Sequence, residues 1–450
     1  MPKATYHFPR GFLWGTATSS HQVEGNNTNN NWWKWEQEGH TDGRSGLACD
    51  WWGGRWREDF DRAAEAGQNA HRLSVEWSRI QPAPDRWDED ALERYRVMLR
   101  GLKERGMTPM VTLHHYSDPL WLEEIGAHST GSGQGWETEA VVPLFEKYVR
   151  KTVEALKEYC TLWCTLNEPN GYAVLGFTLA VYPPGKKDIN LSFKVMENLV
   201  RAHAAAYHAI HEIQPEARVG IAQHYRGLTP SSVSPLDKWA RNTQFHLLNA
   251  VMPLALKDGI LRLPFRRVRV PGAANTQDFF GLNYYTRYRV AFDLRLPGQL
   301  FGRQFLPEDA DAVREGHFHI ANDPEGFFEA IKWSVRTFPN MPILVTENGV
   351  YDREDAFRRR YLARHIHQMW RAVNFNWPVK GYFHWSLVDN FEWERGWTQR
   401  FGLWELDPET QKRTKRPSAD FYAEICKENG LSSDMVQKYC PEAFEKLFPS

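Results

Sequence analysis

Two acidic side chains occupy matching places in this chain. Ile343-Leu-Val-Thr-Glu-Asn-Gly349 is a short β-branched apolar run that stops at Glu347 and a glycine. Thr161-Leu-Trp-Cys-Thr-Leu-Asn-Glu-Pro169 is a second apolar run, stopping at Asn167, Glu168 and a proline. Both read as buried strands that present a carboxyl group at the C-terminal end. Breaking a glycosidic bond with retention needs one protonated carboxyl to donate to the leaving oxygen. It also needs one carboxylate to attack the anomeric carbon, the two lying ~5–5.5 Å apart. Glu168 and Glu347 are the candidates for that pair. Either glutamate alone would read as a solvated surface residue; the matching positions give them weight. A glutamate among apolar residues and beside another carboxylate has a raised pKa and suits the acid role, whereas one beside an arginine stays ionised.

Positioning such a pair falls to the alternation of elements along the chain. Apolar runs that read as strands are Phe12 to Ala17, Ala70 to Ser74, Pro109 to Leu113, Leu162 to Leu166, Arg218 to Ala222, Phe279 to Asn283, Ile343 to Thr346 and Val379 to Trp385. Helix-like stretches fall between them: Glu58 to Ala66, Glu89 to Arg105, Glu139 to Tyr159, Phe193 to Ile213, Leu236 to Lys257, Gly326 to Phe338 and Arg353 to Asn376. Several open on acidic residues, and Gly67 and Gly106 stand where a helix would end. Strand-helix alternation of this length predicts parallel pairing with right-handed crossovers, closed as a (β/α)8 barrel with long loops after the strands; an open doubly wound sheet is the fallback. Neither a repeat nor a linker marks a boundary, so residues 1–450 read as one domain. The basic stretch Pro264 to Gly272 and the stretch Asp293 to Asn322 read as surface loops. In such a barrel Gln22, Arg72, His115, Glu168, Asn283, Glu347 and Trp385 fall at or just past their strand ends and converge on one pocket.

Composition narrows the function classes. The chain has 55 lysines and arginines against 56 acidic residues, so it lacks a net field that would gather nucleic acid or an anionic membrane. The basic runs at Arg266 to Arg269 and Lys412 to Arg416 read as solvated surface. Twenty tryptophans in 450 residues supply more aromatic faces than a core requires, and such faces suit the C–H faces of sugar rings. Five cysteines, odd in number and without metal-type spacing, point to a reducing compartment and away from zinc. The first residues carry no apolar signal and no stretch reaches the ~20 residues of a membrane span, so the expectation is a soluble, cytoplasmic protein.

The strings GTATSSHQVEG, TLNEP, GLNYYT, TENG and FHWSLVDNFEW run in this order from about Phe8 to Pro417 and resemble glycoside hydrolase family 1, the retaining β-glycosidases. The resemblance implies a (β/α)8 barrel with the acid/base on the fourth strand and the nucleophile on the seventh. Position by position, Glu168 matches the acid/base and Glu347 the nucleophile. Arg72 in HRLSVEW matches the arginine that keeps the nucleophile ionised. Asn283 and Tyr285 match residues near the nucleophile and the sugar 2-hydroxyl, which Asn167 would also reach. Gln22, His115, Glu392 and Trp393 match the positions holding the non-reducing sugar, and Trp385 matches the floor of that subsite. Together they offer the amide, imidazole, carboxylate and indole groups that a site reading hydroxyls requires. Relatives acting on 6-phosphorylated sugars carry serine where this chain has Glu392, a carboxylate that would repel phosphate.

The implied activity is exo-hydrolysis of a terminal, unphosphorylated β-linked sugar from a small glycoside or oligosaccharide, with no metal or organic cofactor. Transglycosylation and 6-phospho-β-glycoside hydrolysis are the enzymatic alternatives, and a non-catalytic sugar-binding protein is the alternative from another class. Three features depart from the family pattern: Tyr116 follows the sugar-binding histidine in place of tryptophan, Asn170 stands at a leaving-group-side position that is often aromatic, and the loop Ala127 to Trp136 reads as a flexible glycine-rich rim. They bear on aglycone preference. The sequence leaves the sugar itself and the oligomeric state open.

Overall fold

The computed structural model describes residues 3–125, 134–315 and 318–449; the glycine-rich residues 126–133 lie outside them. Each apolar run forms a strand: β1 Leu13–Ala17, β2 Ala70–Ser74, β3 Thr108–His114, β4 Leu162–Asn167, β5 Arg218–Pro230, β6 Phe280–Phe292, β7 Ile343–Asn348 and β8 Val379–His384. All neighbours pair in parallel, and β5 also pairs with β6, which closes the eight into a barrel. The main helices are α1 Trp56–Glu65, α2 Glu89–Glu104, α3 Val141–Leu156, α4 Pro169–Phe177, α5 Ile189–Ile213, α6 Pro235–Phe245, α7 Val251–Asp258, α8 Pro324–Thr337, α9 Ala356–Asn374 and α10 Pro417–Glu428. Aspartates cap α2 and α5 as the acidic starts imply: Asp88 accepts from the Ala91 amide, and Asp188 from those of Asn190 and Leu191. Among the described residues no helix is long and apolar enough to cross a membrane.

A small apolar cluster fills the barrel interior, with Ala17, Ala70, Met110, Leu162, Cys164, Ala222, Leu344 and Phe383 buried together. Two larger clusters lie elsewhere in the core, rich in residues of the strands and of the helices around them. Gly281 belongs to the wall: a Cβ there would stand 2.4 Å from the Ile221 carbonyl oxygen, so only glycine lets β6 close onto β5.

Two stretches expected to be loops contain strands. Ile260–Leu263 and Arg266–Arg269 pair as an antiparallel hairpin. Within 293–322, Gly302–Phe305 pairs antiparallel with the far end of β6, and Ala312–Glu315 pairs with Phe318–Ala321. Both β5 and β6 run well past the expected ends and stay paired from Ala222↔Gly281 to Pro230↔Val290. These segments alternate polar and apolar residues, burying Leu228, Leu261, Leu263, Val290 and Ile320, and so lack the continuous apolar run that marks the barrel strands. The helix expected over Leu236 to Lys257 is interrupted by a π turn at His246–Ala250.

Candidate active site

The barrel interior turns polar at Arg72, in the middle of β2. Its guanidinium donates through Nη1 to Glu347 Oε1 at 2.7 Å and to the Thr346 carbonyl at 3.2 Å. Nε donates to Thr112 Oγ1 at 3.0 Å and Nη2 to Asn167 Oδ1 at 2.7 Å. One wholly buried cation thereby joins β2 to β3, β4 and β7. Tyr285 donates its hydroxyl to Glu347 Oε2 at 2.7 Å. Thr346 donates to Asn283 Oδ1 at 2.6 Å, which fixes that amide. Asn283 Nδ2 then donates to Asn167 Oδ1 at 3.1 Å and to Glu168 Oε1 at 2.9 Å. Both carboxylates are therefore members of one hydrogen-bonded network.

Glu168 leaves β4 in a left-handed conformation with φ +44°, and Pro169 then opens α4 at the position proline prefers. A non-glycine residue there carries about 1–3 kcal/mol of strain. The Glu168 amide donates to the Ala222 carbonyl at 2.7 Å, which holds the turn. Asn170 is buried and points its amide at the carbonyls of His224 and Leu248, the latter within the π turn. It thus anchors the start of α4. Tyr116, with φ +69°, donates its hydroxyl to Glu168 Oε2, and His224 Nδ1 lies 3.1 Å from Glu168 Oε1.

Burial pushes Glu347 up to about 7; Arg72 opposes the rise and the negative charge of Glu168 adds to it. Burial also disfavours ionised Glu168, but His224, Tyr116 and Asn283 outweigh it and bring the carboxyl down to about 2. This order is the reverse of the expectation from sequence, which placed the raised value on Glu168. Burial is what raises Glu347, and His224 is the largest influence lowering Glu168. A guanidinium is a permanent charge, whereas an imidazole is charged only when protonated, so the anion of Glu347 has a fixed partner and that of Glu168 a conditional one.

A second group of side chains borders this network. Ser19 fixes Gln22 by donating to Oε1 at 2.6 Å, and Gln22 Nε2 reaches the Phe391 carbonyl at 2.8 Å, Asn390 Oδ1 at 3.1 Å and Glu392 Oε2 at 3.3 Å. Burial and Glu394 push Glu392 up to about 8, against hydrogen bonds from Trp385 and Gln22. Burial and Arg72 hold His115 well below the ordinary histidine range. Asn167 Nδ2 donates to His115 Nε2 at 3.0 Å, so Nδ1 is assigned the proton, and that atom is buried with no partner among the described residues. The His115 ring lies 6.0 Å from Trp385 and 5.9 Å from Trp393, linking the two groups. Trp393 also packs on Trp32 at 4.6 Å and Tyr116 at 5.3 Å. His114 turns the other way, to Asp118 at 2.9 Å.

All eleven residues singled out from the sequence converge here. Missed were His224 and the role of Tyr116 as a partner of Glu168. The signal for His224 was the continuation of the fifth apolar run into Gln223-His224-Tyr225, a polar residue at a strand end in a barrel whose other strand ends carry the site.

Comparison with known proteins gives the same picture. A model of the family "Glycosyl hydrolase family 1" matches residues 4–431. A β-glycosidase structure from Pyrococcus horikoshii superposes with a TM-score of 0.89 at 36% identity, covering 97% of this chain and 98% of that one. Beta-glucosidase A of Thermotoga maritima is 33% identical, over 94% of this chain and 98% of its own length. The structure of a T. maritima β-glucosidase in complex with glucoimidazole matches with a TM-score of 0.85 at 31% identity, covering 95% of this chain and all of that one.

Proposed function

This chain belongs to glycosyl hydrolase family 1, and from that membership we propose a retaining, exo-acting β-glycosidase that removes a terminal, unphosphorylated β-linked sugar from a small glycoside or oligosaccharide. The observation that carries the reading is the single network joining Glu347, Arg72, Asn167, Asn283 and Glu168. Glu347, its charge matched by Arg72, attacks the anomeric carbon. Glu168 protonates the departing oxygen and then deprotonates the water that releases the sugar. Asn167, Asn283 and Tyr285 orient the carboxylates and the 2-hydroxyl. Gln22, His115, Glu392 and Trp393 hold the remaining hydroxyls over Trp385, with the free N–H of His115 as one donor.

Unphosphorylated sugar is favoured because Glu392 is surrounded by Glu394, Gln22 and Trp385, and Arg395 is already paired with Glu394 at 3.0 Å. The whole chain acts as one catalytic unit in this reading. A reducing, cytoplasmic setting is supported by Cys49, Cys160, Cys164, Cys426 and Cys440, which are all free and buried thiols. Alanine at Glu347 should abolish turnover of every glycoside while leaving the unfolding transition intact. Glu168→Ala should fail selectively, losing orders of magnitude on methyl β-glycosides but far less on 2,4-dinitrophenyl β-glycosides, whose leaving group needs no acid. Full activity of the Glu347 variant, or equal losses on both substrates for Glu168→Ala, would remove the assignment.

A further inference from the structure

We propose that His224 is a positioning residue for Glu168 that shares one proton with it across the Nδ1 to Oε1 contact, so that the proton required for leaving-group departure stays at the site at higher pH. The inference rests on the acid/base reading of Glu168. Its basis is geometric. His224 lies on β5 opposite Asn283, the other residue bonded to Glu168 Oε1, so the imidazole and the amide converge on the same oxygen. The backbone of His224 is clamped: its carbonyl accepts from Gln223 Nε2 at 2.7 Å and from Asn170 Nδ2 at 3.4 Å. Nε2 is buried and has no partner among the described residues, so within them Glu168 is the group that bonds the ring.

The titratable and charged groups surrounding the pair come from three other strands and two loops. Burial keeps the phenols of Tyr116, Tyr182 and Tyr285 protonated, with values well above the ordinary one. Glu347 is the second carboxylate, and Arg72 is the cation paired with it. None of the three phenols releases a proton in the working range, and Glu347 is held by Arg72 and Tyr285, so the shared proton is assigned to the ring that bonds Glu168 directly, His224.

The exchange balances. When the shared proton is on Nδ1, Glu168 is its anionic acceptor. During glycosyl transfer the Nδ1–H bond breaks and an O–H bond forms on Glu168, leaving a neutral imidazole. That O–H bond then breaks as the proton passes to the leaving oxygen, which departs with the electron pair of the glycosidic bond. In the second step water bonds to the anomeric carbon, Glu347 leaves as a carboxylate, and the water proton returns through Glu168 to Nδ1. The proton thus belongs to the pair, and its loss to solvent is a property of the pair.

The test is the pH profile of kcat/KM for His224→Asn, whose amide can keep a hydrogen bond to Glu168 but cannot titrate. For a methyl β-glycoside, the alkaline limb should move toward acid by about one pH unit or more relative to the native enzyme. For the 2,4-dinitrophenyl glycoside of the same sugar it should move much less. A limb that stays in place, or one that moves equally for both substrates, overturns the proposal. Should His224→Asn lack a cooperative unfolding transition, His224→Gln takes its place under the same criteria. Glu168→Ala assayed alongside separates the two readings. Selective loss restored by azide upholds Glu168 as acid/base, so an unmoved limb then counts against His224 alone; loss without that selectivity removes the role of Glu168 itself.

Discussion

Glu392 is where recognition and stability oppose each other most directly. It is partly accessible, yet its surroundings raise its carboxyl from 4.5 to about 8. A carboxyl raised on folding binds its proton more tightly in the folded state, so its contribution to stability is complete below pH 4.5 and is lost as pH rises to about 8. Glu392→Gln keeps the shape without the charge. Its melting temperature should match that of the native enzyme near pH 4 and exceed it at pH 8, by an amount equivalent to about 1–2 kcal/mol once screening by solvent is allowed for. Its KM for the glycoside should rise at the same time. A gain that is flat across pH would mean that the carboxyl is not perturbed by folding. Glu168 and Glu347 were legible in the sequence because each ends an apolar run, and motif order then supplied Gln22, Arg72 and Trp393. The direction of the pKa values was not legible. That of Glu168 depends on His224, brought from 56 residues away onto Glu168 by the pairing of β4 with β5, and nothing local to either residue encodes that contact.

The eight barrel strands could be read from sequence because buried parallel strands are continuous apolar runs. The extensions of β5 and β6 and the hairpins beside them could not, since they mix polar with apolar residues and lack a continuous apolar run. The π turn at His246–Ala250 belongs to the same class: the sequence shows one uninterrupted helical pattern, while the structure turns the Leu248 carbonyl onto Asn170 and Gln223. Where two strand ends meet, one small residue is decisive. A Cβ on Gly349, the last residue of the TENG string, would lie 2.0 Å from the Trp385 carbonyl oxygen, a backbone atom that cannot swing aside. Gly349→Ala must push the end of β7 away from the segment after β8, moving Glu347 relative to Trp385. The expected result is a urea midpoint lowered by the equivalent of about 1–3 kcal/mol, as for an overpacked core site, together with a raised KM. An unchanged midpoint and KM would show that the two strand ends are not in rigid contact.

At the scale of the whole molecule, the two ends of the chain are fastened to each other beneath the barrel. Thr5–His7 pairs antiparallel with Gly430–Ser432, and Asn429 accepts from the Trp14 indole at 2.9 Å and donates to the Phe8 carbonyl at 2.8 Å. Tyr422, on α10, donates to the Gly15 carbonyl within β1 at 2.7 Å. The Phe448 ring stacks on Tyr6 at 4.6 Å. The segment from Gly430 to Phe448 is thus tied into the core although the family match ends at residue 431. Leu431, Val436, Phe444, Leu447 and Phe448 are all buried, and burying a side chain of this size contributes about 1.5–3 kcal/mol. Their sum is comparable to the ~5–15 kcal/mol by which a folded protein exceeds its unfolded state, and removing them also uncovers Tyr6. A chain ending at Asn429 should therefore lose its cooperative thermal transition and its hydrolysis of aryl glycosides together, even though every residue of the active site is retained. If the shortened chain instead melted at the native temperature and kept its activity, the C-terminal segment would be an appendage, and the reading of residues 1–450 as one unit would fail with it.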